Sequence, residues 1–567
     1  MILRNIFPKV LLPLLVLLLL SWSSRSVAQG GGDAIVVSDN ILATRAGMEI
    51  LEQGGNAMDA AVATAFALAV LDPASSGLGG GGFMVIYQGK EKKAHALDFR
   101  EKAPAATKKD LYIRDGKVIS RLSRVGPLSV AVPGEVAGLL EALRRFGSLP
   151  LNTVLAPSIR YATAGFSNSP QIRYAVQKHI STIRQRGNFS RIFLKADGKP
   201  YLVGETIHQP ELGESLKAIA REGAKVFYEG WIGQAIVDRL KKEGGVLTLK
   251  DLKDYKPVWR EPLLGSYRKR LVITMPPPSS GGVALMYMLN VLEGYDLGQF
   301  RHNSATYLHI LTETMKHAYA DRARYLGDPD FVQIPTKRIT SKKYAARTRK
   351  NISAKFTHPA DFYGLAPTSP ERGGTTHFAV LDGAGNAVSS SLTINSRFGS
   401  KILVRQTGII LNNEMDDFSI RAGQPNIYGL IGGSANSIQP KKRPLSSMTP
   451  TIMLDGEKPV LIVGAAGGPR IITATLQTIL NVLDFSMPLR KAVRTPRVHH
   501  QWKPNRLLVE NKIPRTIRES LGRRGHVIKS RRSLGTVQAI LINGGKLSGE
   551  ADPRKARDPA GEPTSPD

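Results

Sequence analysis

The hydrophobic pattern predicts a chain of alternating helices and hairpins, and its most informative stretch lies two-thirds of the way along. From Thr376 to Leu381 an alternating apolar run predicts a strand. Residues 382–386, Asp-Gly-Ala-Gly-Asn, are turn formers, and a second alternating run covers 387–394. Together they predict a hairpin with a five-residue loop. A register symmetric about Ala384 sets Thr375 opposite Thr393, where directly opposed side chains touch. Elsewhere, residues 43–71 read largely as helix, punctuated by Gly54-Gly55-Asn56. Residues 94–99 read as a strand, and 134–146, 211–221 and 232–242 as amphipathic helices. Ser304 caps a long helix with Leu308, Leu311, Met315, Ala318 and Arg322 at helical spacing. Residues 275–282 hold three consecutive prolines and are expected to be irregular. Residues 337–374 are basic and rich in Pro and Gly, and their later part is expected to be a mobile cover over the site. Residues 459–463 predict a buried strand. Gly467-Gly468-Pro469 then opens a helix through Ile472, Leu476 and Leu480.

At the N-terminus the pattern is of another kind. Arg4 and Lys9 precede a leucine-rich core over 10–20, and Ser26-Val27-Ala28 offers small residues for cleavage. Residues 1–28 are therefore expected to be a signal peptide. The run is short for a membrane span, and no later stretch is long and apolar enough for one. The expected location is the periplasm or the exterior, without stable membrane insertion. The chain has no cysteine, which suits an oxidising compartment and excludes disulfides and thiol catalysis. With 42% hydrophobic and 22% charged residues, the 567-residue chain has ordinary globular composition. The net charge of +32 is spread out, its clusters are short, and no nucleic-acid module is present. A solvated basic surface is expected, with steering of anionic substrates as a further consequence.

Candidate chemistry centres on Gly373-Gly374-Thr375. Thr375 at this flexible joint is placed to attack the carbonyl of Gly374 and convert the peptide bond to an ester. Hydrolysis of that ester would leave Thr375 as a new N-terminus with a hydroxyl nucleophile and an α-amine base. Glycines 79–82 invite a nucleotide reading, but the Lys-Ser/Thr ending is missing and the order is helix, loop, strand, so close packing is expected. Arg100 ends a strand, where a guanidinium forks onto a carboxylate. Asp416-Asp417, with Asn412, Asn413 and Glu414, fits either a hard cation or an ammonium group. No spaced ligand series follows, so no metal is expected. Gly467 and Gly468 present backbone donors at a helix start, as an oxyanion hole requires. His499 and His500 are adjacent in a strand, point to opposite faces, and are expected to be structural.

These residues fall in long ordered motifs. They include Thr375-Thr376-His377-Phe378-Ala379-Val380, Leu411-Asn412-Asn413-Glu414-Met415-Asp416-Asp417-Phe418, Lys442-Arg443-Pro444-Leu445-Ser446-Ser447-Met448 and Gly467-Gly468-Pro469-Arg470. With Asp98-Phe99-Arg100-Glu101, they resemble the γ-glutamyltransferase (γ-glutamyl transpeptidase) family of N-terminal-nucleophile hydrolases over nearly the whole chain. The resemblance implies a four-layer αββα sandwich, of mixed α/β (α+β) class, formed jointly by two subunits cut from one precursor. It implies a large subunit of 29–374 and a small catalytic subunit of 375–567, joined as a heterodimer, with a disordered tail at 555–567. Thr375 would be nucleophile for both self-cleavage at Gly374 and turnover, supported by Thr393, with Gly467 and Gly468 as the oxyanion hole. Arg100, Ser446 and Ser447 would hold the substrate's α-carboxylate. Asn395, Glu414 and Asp417 would hold its α-amine. Family members carry either Glu or Gln at the Glu414 position. The irregular stretch between Asp417 and Ser446, with Tyr428, would form a lid.

The implied substrates are glutathione and other γ-glutamyl compounds, with water, amino acids or peptides as acceptors and no cofactor. A cephalosporin or glutaryl acylase on the same fold is the nearer rival, and a non-catalytic basic exported binding protein the distant one. Asp417 separates the first pair, because a glutaryl group lacks the ammonium that would neutralise this carboxylate.

Overall fold

The computed structural model describes residues 28–31, 34–364, 374–421, 426–427 and 432–557. Residues 1–27 of the expected signal peptide, Tyr428 of the expected lid, residues 365–373 of the expected cover and residues 558–567 of the tail lie outside the described residues.

Two antiparallel sheets stack face to face, with helices on both outer sides. The seven-stranded sheet runs in the order Ala28–Gly31, Ala34–Ser38, Thr376–Leu381, Ala387–Thr393, Gly81–Gln88, Lys93–Phe99, Val258–Arg260. The six-stranded sheet runs Leu263–Tyr267, Arg270–Thr274, Thr451–Asp455, Lys458–Ala466, Thr536–Asn543, Lys546–Ala551. This is the αββα sandwich the resemblance implied. Strand Thr376–Leu381 shows why both faces had to be filled. Phe378 and Val380 enter the core beneath the first helical layer, while Ala379 and Leu381 enter the core between the sheets.

On the first outer face lie helices Ile41–Glu52, Ala57–Leu71 and Glu135–Phe146. Ala57–Leu71 is buried along its whole length, and its seven alanines let neighbouring elements approach closely. Asn56 and Asp59 form a capping box at its start. Asp382 in the hairpin loop accepts from the Ala57 N–H at 2.9 Å, so a carboxylate meets the positive end of this helix. Helices Ser280–Leu292, Ala305–Tyr325 and Arg470–Leu483 pack beyond the second sheet.

Three expectations change. Residues 275–282 are not irregular throughout, because Ser279 caps a helix that begins at Ser280. Residues 337–374, whose sequence shows little periodicity, nonetheless hold a basic helix, Lys342–Lys350, capped by Ser341, whose Ala345 and Thr348 are buried. Lys555 is not part of a disordered tail. It sits in helix Pro553–Arg557 and forms ion pairs with Asp39 and with Asp72 at 2.6 Å. A charged segment is ordered here because buried acids supply its partners.

Histidines fill polar gaps in the core. Burial holds His377 and His499 down to about 3, His317 to about 4 and His526 to about 2. Unfolded histidine titrates near pH 6.5. As pH falls below that value the unfolded chain takes up protons that these folded rings refuse, so stability drops. Each ring still neutral contributes a slope of about 1.4 kcal/mol per pH unit. The raised Glu101 and Glu414 carboxyls work in the opposite sense over the same window, so the histidine contribution is read by difference: the melting temperature of His526→Gln should fall less, or rise more, than that of wild type between pH 6.5 and 4.5 in a thermal-shift series. Parallel profiles for the two proteins would contradict the buried neutral state.

Candidate active site

The hairpin has the register the sequence predicts. Thr376 pairs with Leu392 and Leu381 with Ala387, leaving the five-residue loop 382–386. Extended by one residue, this register brings Thr375 to Thr393, and their hydroxyl oxygens lie 3.4 Å apart. Thr375 is 7% exposed. The Thr393 hydroxyl donates to the Gly374 carbonyl at 3.0 Å and accepts from the Asn395 N–H at 2.8 Å. A hydroxyl has one proton to give, and here it is given to the carbonyl of the Gly374–Thr375 bond. The Thr375 hydroxyl is left to donate toward Thr393. Asn395 makes this possible by turning into the left-handed region, with φ 70°. Its carbonyl accepts from the Gly374 N–H at 2.9 Å, which clamps the joint from the other side.

The glycine pair ends strand Lys458–Ala466 just before helix Arg470–Leu483. Gly467 has φ 132° and Gly468 φ 61°, conformations that L side chains rarely adopt. A Cβ on Gly467 would come within 3.1 Å of the Gly535 backbone. Gly468 lines the same small cavity as Thr375 and Thr393, whereas Gly467 borders a second cavity on the other side of Thr375.

The inner cavity, about 20 Å³, is lined by all six sequence-predicted binding residues: Arg100, Asn395, Glu414, Asp417, Ser446 and Ser447. Arg100 is buried. One arm pairs with Glu414, the other with Asp417 at 2.6 Å, and its Nε donates to the Pro444 carbonyl at 3.2 Å. Burial opposes its charge, but Glu414, Glu101 and Asp417 outweigh that and hold the guanidinium above its ordinary value. Burial pushes the Glu414 carboxyl well above the usual range, raises Asp417, and pushes Glu101 up to about 8. Asp417 is therefore not a carboxylate waiting for a cation, as the sequence suggested. In the uncut chain, Arg100 already neutralises it.

Sequence reasoning passed over one member of the cavity, Arg322. The sequence sets it at helical spacing with Leu308, Leu311, Met315 and Ala318 and in the family-like run Tyr319-Ala320-Asp321-Arg322, and neither signal gives it a role in the site. Burial pushes it down to about 10, and it donates to Ser280 at 2.8 Å and to the Ser447 hydroxyl at 3.4 Å. The available signal was a guanidinium on a helix face otherwise occupied by Leu308, Leu311 and Met315.

The acidic motif divides its work. Asp416 accepts from Ser123 at 2.5 Å and from the Ile427 N–H at 2.7 Å, so it braces the loop, while Asp417 faces the cavity. Among the described residues one group, His309, Glu313 and His526, has metal-ligating atoms within 4.8 Å of one another. His309 bonds to His526 and to the Ser353 carbonyl, and Glu313 accepts from Thr357 and Tyr363. None of the three lines the cavities around Thr375. His499 and His500 are both buried and bonded within the protein, His499 to Thr473 and His500 to the Trp502 N–H.

Comparison with known proteins agrees with this geometry. The profile of the Gamma-glutamyltranspeptidase family matches residues 43–562. The chain is a member of the gamma-glutamyltranspeptidase family. Within the family it is 41% identical to the glutathione hydrolase proenzyme of Escherichia coli K12, over 92% of this chain and 91% of that protein. The glutathione hydrolase proenzyme of Pseudomonas aeruginosa is 40% identical over 94% and 95%. Among solved structures, cephalosporin acylase from Bacillus halodurans superposes with a TM-score of 0.82 at 28% identity, over 94% of this chain and 96% of that one. Helicobacter pylori gamma-glutamyltranspeptidase gives 0.56 at 39% identity, over 57% of this chain and 92% of that one. The fold is thus shared with an acylase, and the sequence is closer to the transpeptidases.

Proposed function

We propose that the chain is a self-processing γ-glutamyltransferase and glutathione hydrolase. The observation that carries this reading is the juxtaposition of the Thr375 hydroxyl, the polarised Gly374 carbonyl and a cavity with both signs of charge. In self-cleavage the Thr375 oxygen attacks the Gly374 carbonyl carbon, the C–N bond breaks, and an ester forms. Water then hydrolyses the ester, leaving the Gly374 carboxylate and a free Thr375 α-amine. Strand Thr376–Leu381 is paired on both edges, with Ala34–Ser38 and with Ala387–Thr393. The fragments 29–374 and 375–567 would therefore stay joined through the sheet and its two cores.

In turnover the Thr375 amine accepts the hydroxyl proton, directly or through water. An α-amine titrates at about 7.7–8.0, so it is poised for this task. The oxygen attacks the γ-glutamyl carbonyl, and the N–H groups of Gly467 and Gly468 hold the oxyanion. The leaving amine takes the proton, and water or an acceptor amine then cleaves the acyl-threonine. Arg100, with Ser446 and Ser447, would bind the α-carboxylate. Asn395, Glu414 and Asp417 would bind the α-ammonium. Export to the periplasm or exterior rests on the leader-like pattern of residues 1–28. Among the described residues no helix is long and apolar enough to cross a membrane.

The test is expression of the wild-type precursor. We expect two fragments, the smaller beginning Thr375-Thr376-His377, and release of glutamate from glutathione by the processed protein alone. An intact chain with full activity would sink the mechanism.

A further inference from the structure

Between strand Ala387–Thr393 and the short strand Leu403–Val404 the chain makes a tight turn. Four of its residues lie in the left-handed region: Asn395 at φ 70°, Phe398 at 58°, Gly399 at 46° and Lys401 at 64°. Three of them carry a Cβ, which that region disfavours, so something must hold the turn in place. Lys401 is 9% exposed. Its Nζ donates to the Arg397 carbonyl, to the Gly399 carbonyl at 3.1 Å and to the Ser396 hydroxyl at 3.5 Å. An ammonium has three protons, and here it meets three acceptors of the same turn. Among the described residues no carboxylate pairs with it. Burial, with the charges of Arg186 and Arg397, pushes this ammonium down to about 7. The surroundings thus oppose its charge, and the contacts that offset the opposition are those to the turn.

The scissile joint rests against this turn. The Asn395 carbonyl accepts from the Gly374 N–H at 2.9 Å. A Cβ on Gly374 would come within 2.9 Å of the Arg397 nitrogen and of the Ser396 carbonyl carbon, so the two backbones are in direct contact. The start of the turn has anchors of its own. Asn395 Nδ2 donates to the Asn413 carbonyl at 2.9 Å, and the Ser396 N–H donates to Asn413 Oδ1 at 3.0 Å. We propose that Lys401 is a positioning residue for self-cleavage, a cation built into the chain that closes the 395–401 turn and so holds the Gly374 carbonyl in reach of the Thr375 hydroxyl. This rests on the self-processing reading above. In that step the bond from the Thr375 oxygen to the Gly374 carbonyl carbon forms, the C–N bond breaks, and the hydroxyl proton ends on the freed amine. Lys401 neither gives nor takes a proton. Once the bond is cut, Gly374 no longer positions Thr375, while the Asn395 side chain keeps its bond to Asn413. Turnover should therefore depend on Lys401 much less than self-cleavage does.

The test follows cleavage of the full-length precursor, made by cell-free synthesis, in wild type, K401M and K401Q. Methionine keeps an unbranched apolar stem and has no donor, whereas glutamine keeps two N–H donors without the charge. K401M should cut about tenfold more slowly than wild type, the weight of one charge-assisted hydrogen bond, with K401Q between them. The melting temperature of the K401M precursor should stay near wild type, because an opposed buried charge is removed together with its hydrogen bonds. Processed K401M should hydrolyse glutathione with kcat and KM within about twofold of wild type, the split that separates positioning of the joint from support of the whole site. Cleavage of K401M at the wild-type rate overturns the proposal. So does a joint loss of cleavage, turnover and melting temperature in both variants, which would mark Lys401 as a residue of the fold alone. K401Q retains donors to the turn and carries the same comparison should K401M fold poorly. A wild-type chain that stays uncut would instead overturn the self-processing reading itself.

Discussion

Thr375→Ala is expected to accumulate as a single uncut chain with no measurable glutathione hydrolysis. The substitution removes the hydroxyl that lies 3.4 Å from the Thr393 oxygen and leaves the hairpin register intact. Deleting the nucleophile of a hydrolase costs on the order of a million-fold in turnover. Circular dichroism and melting temperature should stay near wild type, because the site is small and the strand remains paired on both edges. Thr375→Ser should retain cleavage. Thr393→Ala should give an intermediate result, since it removes the donor 3.0 Å from the carbonyl under attack. Loss of one such donor costs roughly a hundred- to a thousand-fold, so processing should slow by about that factor without being abolished. Processed Thr393→Ala should show lower kcat with little change in KM, because the contact matters most as the hydroxyl attacks. Gel densitometry over time and N-terminal sequencing read both variants. Normal cleavage by Thr375→Ala would remove this residue from the mechanism.

The hairpin was legible because its signals are local. Turn residues at 382–386 and a two-residue period on either side specify a register with no help from the rest of the fold. The helix boundary at Ser304 was legible for the same reason, since a cap is short-range chemistry, whereas Gly54-Gly55-Asn56 marked a break without showing that Asn56 caps helix Ala57–Leu71. What the residues alone did not disclose is long-range pairing. Arg100 and Asp417 lie 317 positions apart, and nothing near either says that the guanidinium of one rests on the carboxylate of the other. Their separate roles came from resemblance, which describes a site with substrate in it and not the resting ion pair. Lys555 was misread because a charged, proline-containing end looks disordered until Asp39 and Asp72 are brought to it. Arg322 was passed over because helical spacing assigns a face and does not reveal a cavity.

That resting ion pair makes Asp417→Ala the most discriminating substitution for substrate class. In the uncut, substrate-free chain Arg100 bridges Glu414 and Asp417, and the cavity between them and Thr375 is only about 20 Å³. A γ-glutamyl head group carries one carboxylate and one ammonium. On the proposed binding mode it inserts into the ion pair, giving its carboxylate to Arg100 and its ammonium to the two acids, so the net buried charge is unchanged and every charge keeps a partner. A glutaryl group brings the carboxylate alone. It would take Arg100 from its acids and leave them buried without a counter-charge, which is costly. Wild type should therefore prefer a γ-glutamyl anilide strongly over the matched glutaryl anilide. Removing the Asp417 carboxylate breaks a charged contact to the ammonium at a cost of roughly 2–5 kcal/mol, seen as a sharp rise in KM for glutathione. It also removes one of the two acids a glutaryl group would strand, so the preference for the γ-glutamyl compound should shrink by about tenfold or more. Arg100→Lys should weaken both compounds together, because lysine keeps the charge and loses the two-pronged grip. The measurement is kcat/KM for the two anilides on wild type and Asp417→Ala, after processing has been verified on a gel. Should wild type favour the glutaryl compound, the transferase assignment gives way to an acylase on the same fold.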